Sequence, residues 1–265
     1  MNPSTGLLVT PPLNTFRYSL TNQQPNDNRE DIAHPHHAII DPTERFVLVP
    51  DLGLNLIHIY SISSQGLRRL DPVHTAPGAG PRHGVFSPAG KYYYQVNELS
   101  NSVDVFSVAY KPNIVLTHVQ NISTYRAGTT PDLDPVPTAG EIQISSDGKY
   151  LYTSNRNDLT FPKARVAPSP STETTKSDSI TTYSIRANGK LTFLELTPVA
   201  GITPRHFSLE PTDGGKYVAV ATQTTGRVAV YRRNKVTGRL GTVPVASIDM
   251  KTLGVTQPPC VIWLD

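Results

Sequence analysis

The strongest constraint on this chain is a strand–turn–strand unit that occurs four times. The turns are rich in Pro, Asp, Ser and Gly and cover residues 41–45, 87–91, 145–149 and, two residues longer, 210–216. Such residues favour tight hairpins, and every turn is flanked by short segments rich in β-branched and aromatic residues. The sequence therefore predicts four β-hairpins and offers no helical period of useful length.

Further strands follow each hairpin. A third segment with apolar residues at period two is present at 56–60, 102–106, 180–183 and 227–231, and a fourth is visible in most units, as at 114–119 and 191–196. Four antiparallel strands that repeat every ~40 to 50 residues are typical of the blades of a β-propeller. Two Pro/Thr/Ser-rich inserts, 128–140 and 158–178, lengthen the repeat, and we expect both to be loops over one face. The predicted fold class is all-β, a propeller of four-stranded blades.

Composition limits the rest. We expect residues 1–265 to form a single domain, because a chain of this length can build one large core. The net charge of +3 comes without a basic run, which argues against nucleic-acid binding. Neither a signal peptide nor a membrane span is evident, and the single Cys260 has apolar neighbours, so we expect a buried thiol and a cytoplasmic protein.

The two ends of the chain read as parts of one incomplete blade. Residues 259–265 match the first strand of a unit, and 7–10 and 14–20 have the pattern of outer strands. The chain thus carries about five blades' worth of sequence, and since an open ring exposes apolar blade faces, we expect N-terminal sequence to be missing. The alternative is a closed five-bladed ring whose last blade is made from these weaker strands.

Polar residues occur at equivalent ends of the predicted strands. In an antiparallel pair, the start of one strand and the end of the next lie at the same edge of the sheet, so these residues should surround one mouth of the central channel. They are His36, His37, Arg82, His83, Glu141, Arg205 and His206 at strand starts, and Asp51, Glu98, Arg156 and Gln223 at strand ends. Clustered cations and titratable groups indicate an anionic substrate and proton transfer.

Each of these residues also has a purely structural interpretation. Arg82, Arg156 and Arg205 could form ion pairs with Glu98, Glu141 or Asp51, and the His of each Pro-Arg-His triplet could anchor its strand by a hydrogen bond. The run 34–37, His-Pro-His-His, invites a metal site, but no second His or Cys cluster supports it. A Gly-rich phosphate loop and a serine nucleophile elbow are both missing from the sequence.

Several motifs resemble those of the propeller lactonase family. They are His34-Pro35-His36-His37 before Asp41-Pro42, Pro81-Arg82-His83, Asn97-Glu98-Leu99, Ser154-Asn155-Arg156 and Pro204-Arg205-His206. The family contains 6-phosphogluconolactonases and fungal 3-carboxy-cis,cis-muconate lactonising enzymes, and the resemblance runs from about residue 14 to the C-terminus. It implies a seven-bladed propeller of which about two N-terminal blades are missing here, no metal or cofactor, and the catalytic residues His36, Arg82, Glu98 and Arg156.

The resemblance implies an enzyme that opens or closes a lactone ring on a small anionic sugar acid or muconate. Arg82 and Arg156 would hold the carboxylate or phosphate, and His36 and Glu98 would exchange the proton. Substrate binding would fall to His34, His37, His83, Glu141, Arg205, His206 and Asp51. A non-catalytic propeller that binds a partner, and an inactive truncated remnant, stay open as alternatives, as do an oligomeric state and a secretion signal lost with the N-terminus.

Overall fold

Antiparallel β-sheets build the part of the chain that the computed structural model describes, residues 4–8, 10–19, 29–126 and 131–264. The first sheet contains β1 (Ile39–Ile40), β2 (Phe46–Asp51), β3 (Leu56–Ser63) and β4 (Gly66–Arg69), with β5 (Val73–His74) paired to the start of β3. The second contains β6 (Pro81–Phe86), β7 (Tyr92–Asn97), β8 (Ser102–Tyr110) and β9 (Ile114–Ser123).

The third and fourth sheets continue the pattern. The third sheet and its insert contain β10 (Thr138–Ile144), β11 (Tyr150–Arg156), the insert hairpin β12 (Phe161–Arg165) and β13 (Thr174–Ser177), then β14 (Ser179–Ile185) and β15 (Leu191–Pro198). The fourth contains β16 (Pro204–Leu209), β17 (Tyr217–Thr222), β18 (Arg227–Arg232) and β19 (Ala246–Asp249), followed by a 3₁₀ turn, Met250–Leu253. The prediction of an all-β chain made of four-stranded blades is confirmed.

Three apolar layers hold the blades together in chain order. Phe46 of the first blade packs with Tyr93 of the second, Tyr94 of the second with Leu151 of the third, and the third and fourth blades share a layer that includes Phe207. The first strands of the blades lie innermost and line a central cavity of about 390 Å³. Within the described residues the first and fourth blades share no extended interface.

The chain ends differ from the prediction. Residues 14–19 are irregular and lie against the first blade, where the Phe16 and Tyr60 ring centroids are 4.5 Å apart and Tyr18 stacks on His58. Positions 9 and 20 of the two expected N-terminal strands lie outside the described residues. Aromatic packing on a sheet face thus replaces the expected pairing at 14–19.

The C-terminal residues 258–264 are also irregular. They lie on the fourth blade, where the Ser208 hydroxyl donates to the Val261 carbonyl (3.0 Å) and the Trp263 indole donates to the Ser208 carbonyl (3.0 Å). The expectation of a buried Cys260 is wrong: its thiol is free and exposed, because the segment lies on the surface rather than within a sheet.

The insert at 158–178 is a β-hairpin, where a loop was expected. Its strands β12 and β13 pair with each other, and Ala164 and Val166 are buried, Val166 within the layer between the third and fourth blades. Of the other insert, 127–130 lie outside the described residues and 138–140 already belong to β10. No helix in the described ranges is long and apolar enough to cross a membrane.

Candidate active site

A β-bulge lies at the start of the innermost strand in three of the four blades. The register shifts fall between Pro81 and His83, between Ala139 and Ile142, and between Pro204 and His206. A bulge inserts an extra residue and re-aims the side chains next to it. Arg82 and Arg205 occupy the extra positions. In both Pro-Arg-His triplets the Arg and His side chains therefore do not alternate strictly between the two faces of the sheet.

A cluster of charged groups, here called the guanidinium cluster, consists of Arg29, Arg82, Glu98, Arg156 and Arg205. The Glu98 carboxylate accepts from Arg82 Nε (2.9 Å) and Arg156 Nη2 (2.7 Å), and it also pairs with Arg29. Arg82 and Arg156 each donate to a carbonyl at the bulge of β10, those of Gly140 (2.9 Å) and Ala139 (2.7 Å). Arg82, Glu98 and Arg156 are at most 8% exposed.

The cluster fixes the charge of its members. Burial raises the pKa of Glu98, but the charges of Arg156, Arg82 and Arg29 outweigh burial and hold that pKa at about 2. Burial lowers the pKa of Arg82 to about 10, with a further contribution from Arg156, and it lowers the pKa of Arg156 as well. Glu98 is therefore an anion and both arginines are cations at neutral pH.

Two donors in the cluster are unused. The buried Nε of Arg156 has no hydrogen-bond partner in the part of the chain that the structure describes. Arg205 is half-buried and close enough to lower the pKa of both Arg82 and Arg156, yet its guanidinium makes no ion pair with any described residue. The cluster thus has an excess of positive charge over its single carboxylate, and an excess of this kind in a recess favours an anionic ligand.

A second group, here called the histidine chain, lies beside the cluster and consists of His36, His83, Glu141 and His206. His83 Nδ1 is 3.1 Å from both Glu141 carboxylate oxygens, and His83 Nε2 is 3.1 Å from His36 Nδ1. On the other side of Glu141, His206 Nε2 is 3.6 Å from Oε2. His83, Glu141 and His206 line the central cavity together with His37, which stacks on His83.

The imidazoles of His36, His37 and His83 are neutral at pH 7. Burial, assisted by the positive charge of Arg82, lowers the pKa of His36 to about 3, and burial lowers the pKa of His37 to about 4. The pKa of His83 is also lowered by burial, although Glu141 opposes the shift. Burial raises the pKa of Glu141, but the hydrogen bond from His83 outweighs it and keeps the carboxylate ionised.

Three of the predicted site residues have other contacts. Asp51 is fully buried and accepts from the His34 backbone N–H (2.8 Å) and from His58 (3.1 Å), so it anchors the first blade. The His34 ring contacts Asp31 (3.1 Å), away from His36. Gln223 lies near the bulge that contains Arg205, because its backbone N–H donates to the Thr203 carbonyl (2.8 Å). The His-Pro-His-His run therefore does not converge on one point.

The sequence reading missed Arg29 and a buried acid pair, Asp158 and Asp178. The Asp178 carboxylate accepts from the backbone N–H groups of Asn157 (2.7 Å) and Thr203 (2.6 Å), the neighbours of Arg156 and of the Pro204-Arg205 bulge. Burial, with the adjacent charge of Asp178, raises the pKa of Asp158 to about 7. The two residues bound the insert at 158–178, and nothing in the sequence pattern marks them as partners.

Comparison with known proteins identifies a family and several relatives that this chain resembles. The model of the seven-bladed β-propeller lactonase family matches residues 10–263. The chain is 35% identical over 257 residues to a protein of Arthroderma benhamiae named "Probable 6-phosphogluconolactonase", covering 95% of this chain and 59% of that protein. It is 29% identical over 238 residues to the 6-phosphogluconolactonase of Bacillus subtilis, covering 89% of this chain and 59% of the relative.

Solved structures agree with these sequence matches. The structure of the periplasmic gluconolactonase of Pseudomonas aeruginosa superposes with a TM-score of 0.68 at 28% identity, covering 82% of this chain and 54% of that one. The chain thus spans about three fifths of the length of the curated relatives it matches. Because the family match extends over nearly the whole sequence, the chain belongs to the seven-bladed β-propeller lactonase family.

Proposed function

We propose that the guanidinium cluster and the histidine chain form the active site of a lactonase. The enzyme would hydrolyse the ring of a small anionic sugar lactone, and 6-phosphogluconolactone is the first candidate. The observation that carries the proposal is the Arg205 guanidinium, which forms no ion pair among the described residues and lies close to buried Arg82 and Arg156, with a neutral His36 near Arg82. An anion binder and a proton acceptor at one place are what hydrolysis of an anionic lactone requires.

Binding relies on the guanidinium cluster. Arg205 holds the phosphate or carboxylate of the substrate, because it is the cluster member whose charge is not committed to a carboxylate. The free Nε–H of Arg156 is available to the lactone carbonyl oxygen, where negative charge develops when water adds. Both contacts use donors that have no partner among residues 29–126 and 131–264.

Proton transfer relies on His36. The neutral imidazole takes a proton from water as its oxygen attacks the carbonyl carbon, and the imidazolium then returns the proton to the ring oxygen when the C–O bond breaks. The products are a hydroxyl and a carboxylate. Glu98 was expected to share in this exchange, but its carboxylate oxygens are engaged by Arg29, Arg82 and Arg156, so we assign to it the orientation of the two buried arginines.

The names of the relatives support hydrolysis over ring closure, and no contact in the described residues favours a non-catalytic partner site over a metabolite. The proposal includes a small anionic metabolite as the ligand and retains the cytoplasm as the location. The ligand is supported by the names of the relatives, and the location by the sequence analysis alone.

The test compares phosphorylated and unphosphorylated gluconolactone as substrates for the wild type and Arg205→Gln. We expect the substitution to raise KM for the phosphorylated lactone at least about tenfold, because a hydrogen bond to a charged group contributes roughly 1.5–3 kcal/mol. Its effect on the unphosphorylated lactone should be smaller. Arg186→Gln, at an exposed hairpin, is the matched control. A wild type without activity above the spontaneous rate would sink the proposal.

A further inference from the structure

The hydrogen bonds of the histidine chain determine where each proton lies. Glu141 is ionised and can only accept, because the His83 contact and the backbone N–H of Ile142 (2.9 Å) stabilise its anion. His83 Nδ1 faces both carboxylate oxygens at 3.1 Å, so Nδ1 must carry the proton. The opposite tautomer would place a lone pair against a buried carboxylate and leave it unsatisfied.

The position of the proton on His83 sets that on His36. A neutral His83 protonated at Nδ1 has its lone pair on Nε2. That atom is 3.1 Å from His36 Nδ1, and a hydrogen bond at this distance requires His36 Nδ1 to be the donor. Neutral His36 is then left with its lone pair on Nε2, and its ring lies close enough to Arg82 and Glu98 for their charges to influence its pKa.

The neighbouring imidazoles do not compete for these positions. The Gly84 N–H donates to His37 Nδ1 (3.3 Å), which places the His37 proton on Nε2, and His37 meets His83 by stacking at 4.7 Å between ring centroids. The Val261 N–H donates to His206 Nδ1 (3.4 Å), so the His206 proton lies on the Nε2 side that faces Glu141. Glu141 is therefore hydrogen-bonded to His83 and lies 3.6 Å from His206, and of these imidazoles His83 is the one that contacts the ring nitrogen of His36.

We propose that His83 and Glu141 are positioning residues that fix His36 in the Nδ1–H tautomer, so that Nε2 is the atom that accepts the proton from water. The inference deepens the proposed hydrolysis and rests on it for the role of His36. It assigns to His83 and Glu141 a function other than the substrate contact expected from the sequence. The two residues lie on different blades, β6 and β10, so the tautomer depends on how the blades pack.

The first measurement is the His36 tautomer in the substrate-free wild type at pH 7, from long-range ¹H–¹⁵N correlation spectra. The spectra are assigned with His36→Gln. We expect the proton on Nδ1, with no exchange to the other tautomer. A His36 protonated on Nε2 would overturn the inference even if no variant folds. Because no substrate is present, this result is independent of turnover.

The second measurement is the kinetics and tautomer of Glu141→Gln. The amide can donate to His83 Nδ1, which would reverse the direction of the hydrogen bonds from His83 to His36. We therefore expect the His36 proton to move toward Nε2. We also expect kcat to fall about 10²-fold, with KM changed less than about twofold. A fall in kcat with an unchanged tautomer would mean a structural role and would contradict the proposal. His118→Gln, which breaks an imidazole–carboxylate pair with Asp104 (2.9 Å) on the outer strands, is the control.

The two proposals fail in different ways. A wild type that shows the expected tautomer but no lactone hydrolysis would overturn the proposed function. An active wild type whose His36 is protonated on Nε2 would overturn the positioning role alone.

Discussion

Glu98 and Asp158 are equally buried, but their pKa values are shifted in opposite directions. Each is 1% exposed, but Glu98 faces three guanidinium groups and Asp158 faces a second carboxyl, Asp178. The pKa of Glu98 is held at about 2, whereas that of Asp158 is raised to about 7. Burial penalises both anions, so the neighbours decide which carboxyl stays ionised. The region around Glu98 therefore keeps a net positive charge, and the Asp158–Asp178 pair retains a proton to higher pH than an ordinary carboxyl.

The largest effect should come from removing the shared anion with Glu98→Ala. Arg82 and Arg156 would then be buried without a counter-charge, which costs about 3–5 kcal/mol of the free energy of unfolding. Urea denaturation at pH 7 measures the loss, and lactone hydrolysis should disappear. The surface pair Lys235–Asp213 (2.9 Å) supplies the control, since Lys235→Ala should change little. A Glu98→Ala protein as stable as the wild type would show that the cluster does not need its anion.

Arg156→Lys tests whether the region around Glu98 needs geometry or only charge. Lysine keeps the positive charge but lacks the planar fork that reaches Glu98 and the Ala139 carbonyl together, and it loses the free Nε–H. We expect kcat/KM to fall about 10²-fold, similar to the loss of one oxyanion donor. Steady-state assays measure it, with the exposed Arg232→Lys as the control. A change of less than about twofold would reduce Arg156 to a point charge.

Asp158→Asn tests the Asp158–Asp178 pair through the pH dependence of stability. Because the folded pKa of Asp158 is raised, the native state binds a proton that the unfolded state has lost, so wild-type stability falls as pH rises from about 4 to about 7. Asparagine cannot ionise, so the variant should lack this slope and, between pH 4 and pH 7, gain on the order of 1–2 kcal/mol relative to the wild type. The shared proton makes the gain smaller than that of a lone acid. Thermal melts from pH 4 to 8 measure it, and parallel curves would contradict the shared proton.

The smallest effect is expected from Thr160→Val. The Thr160 hydroxyl donates to Asp158 Oδ2 (2.7 Å) and partly offsets the rise of its pKa. Its removal should raise the pKa of Asp158 further. The pH range over which stability falls should then extend to higher pH, with under about 1 kcal/mol of change at pH 5. The same melts resolve this shift, and a downward shift would contradict the assigned direction.

The sequence predicts the strands and the face on which the site lies, but not the pairing within it. Period-two patterning and turn residues are local properties, so the blades and the convergence of Arg82, Arg156 and Arg205 follow from them. The contact of His83 with Glu141 spans two blades and depends on bulges and rotamers, which local patterns do not encode. The structure therefore brings most of the expected ionisable residues together, whereas Asp51 and His34, which were expected to bind substrate, contact neighbours in and before the first blade; the roles of all of them stay predictions.

The acid pair also links positions that look independent in the sequence. Thr203 has a left-handed backbone (φ 62°), a conformation that a β-branched residue adopts only when its surroundings compensate. Asp178 supplies the compensation by accepting the Thr203 N–H at 2.6 Å, two residues before Arg205. The two sites should therefore show epistasis: Thr203→Gly would relieve the strain at 203 and make a change at Asp178 less costly, whereas a change at 178 alone would also leave the Asn157 N–H without its acceptor. Variation at 203 and 178 across homologues should be read jointly, as one unit of selection.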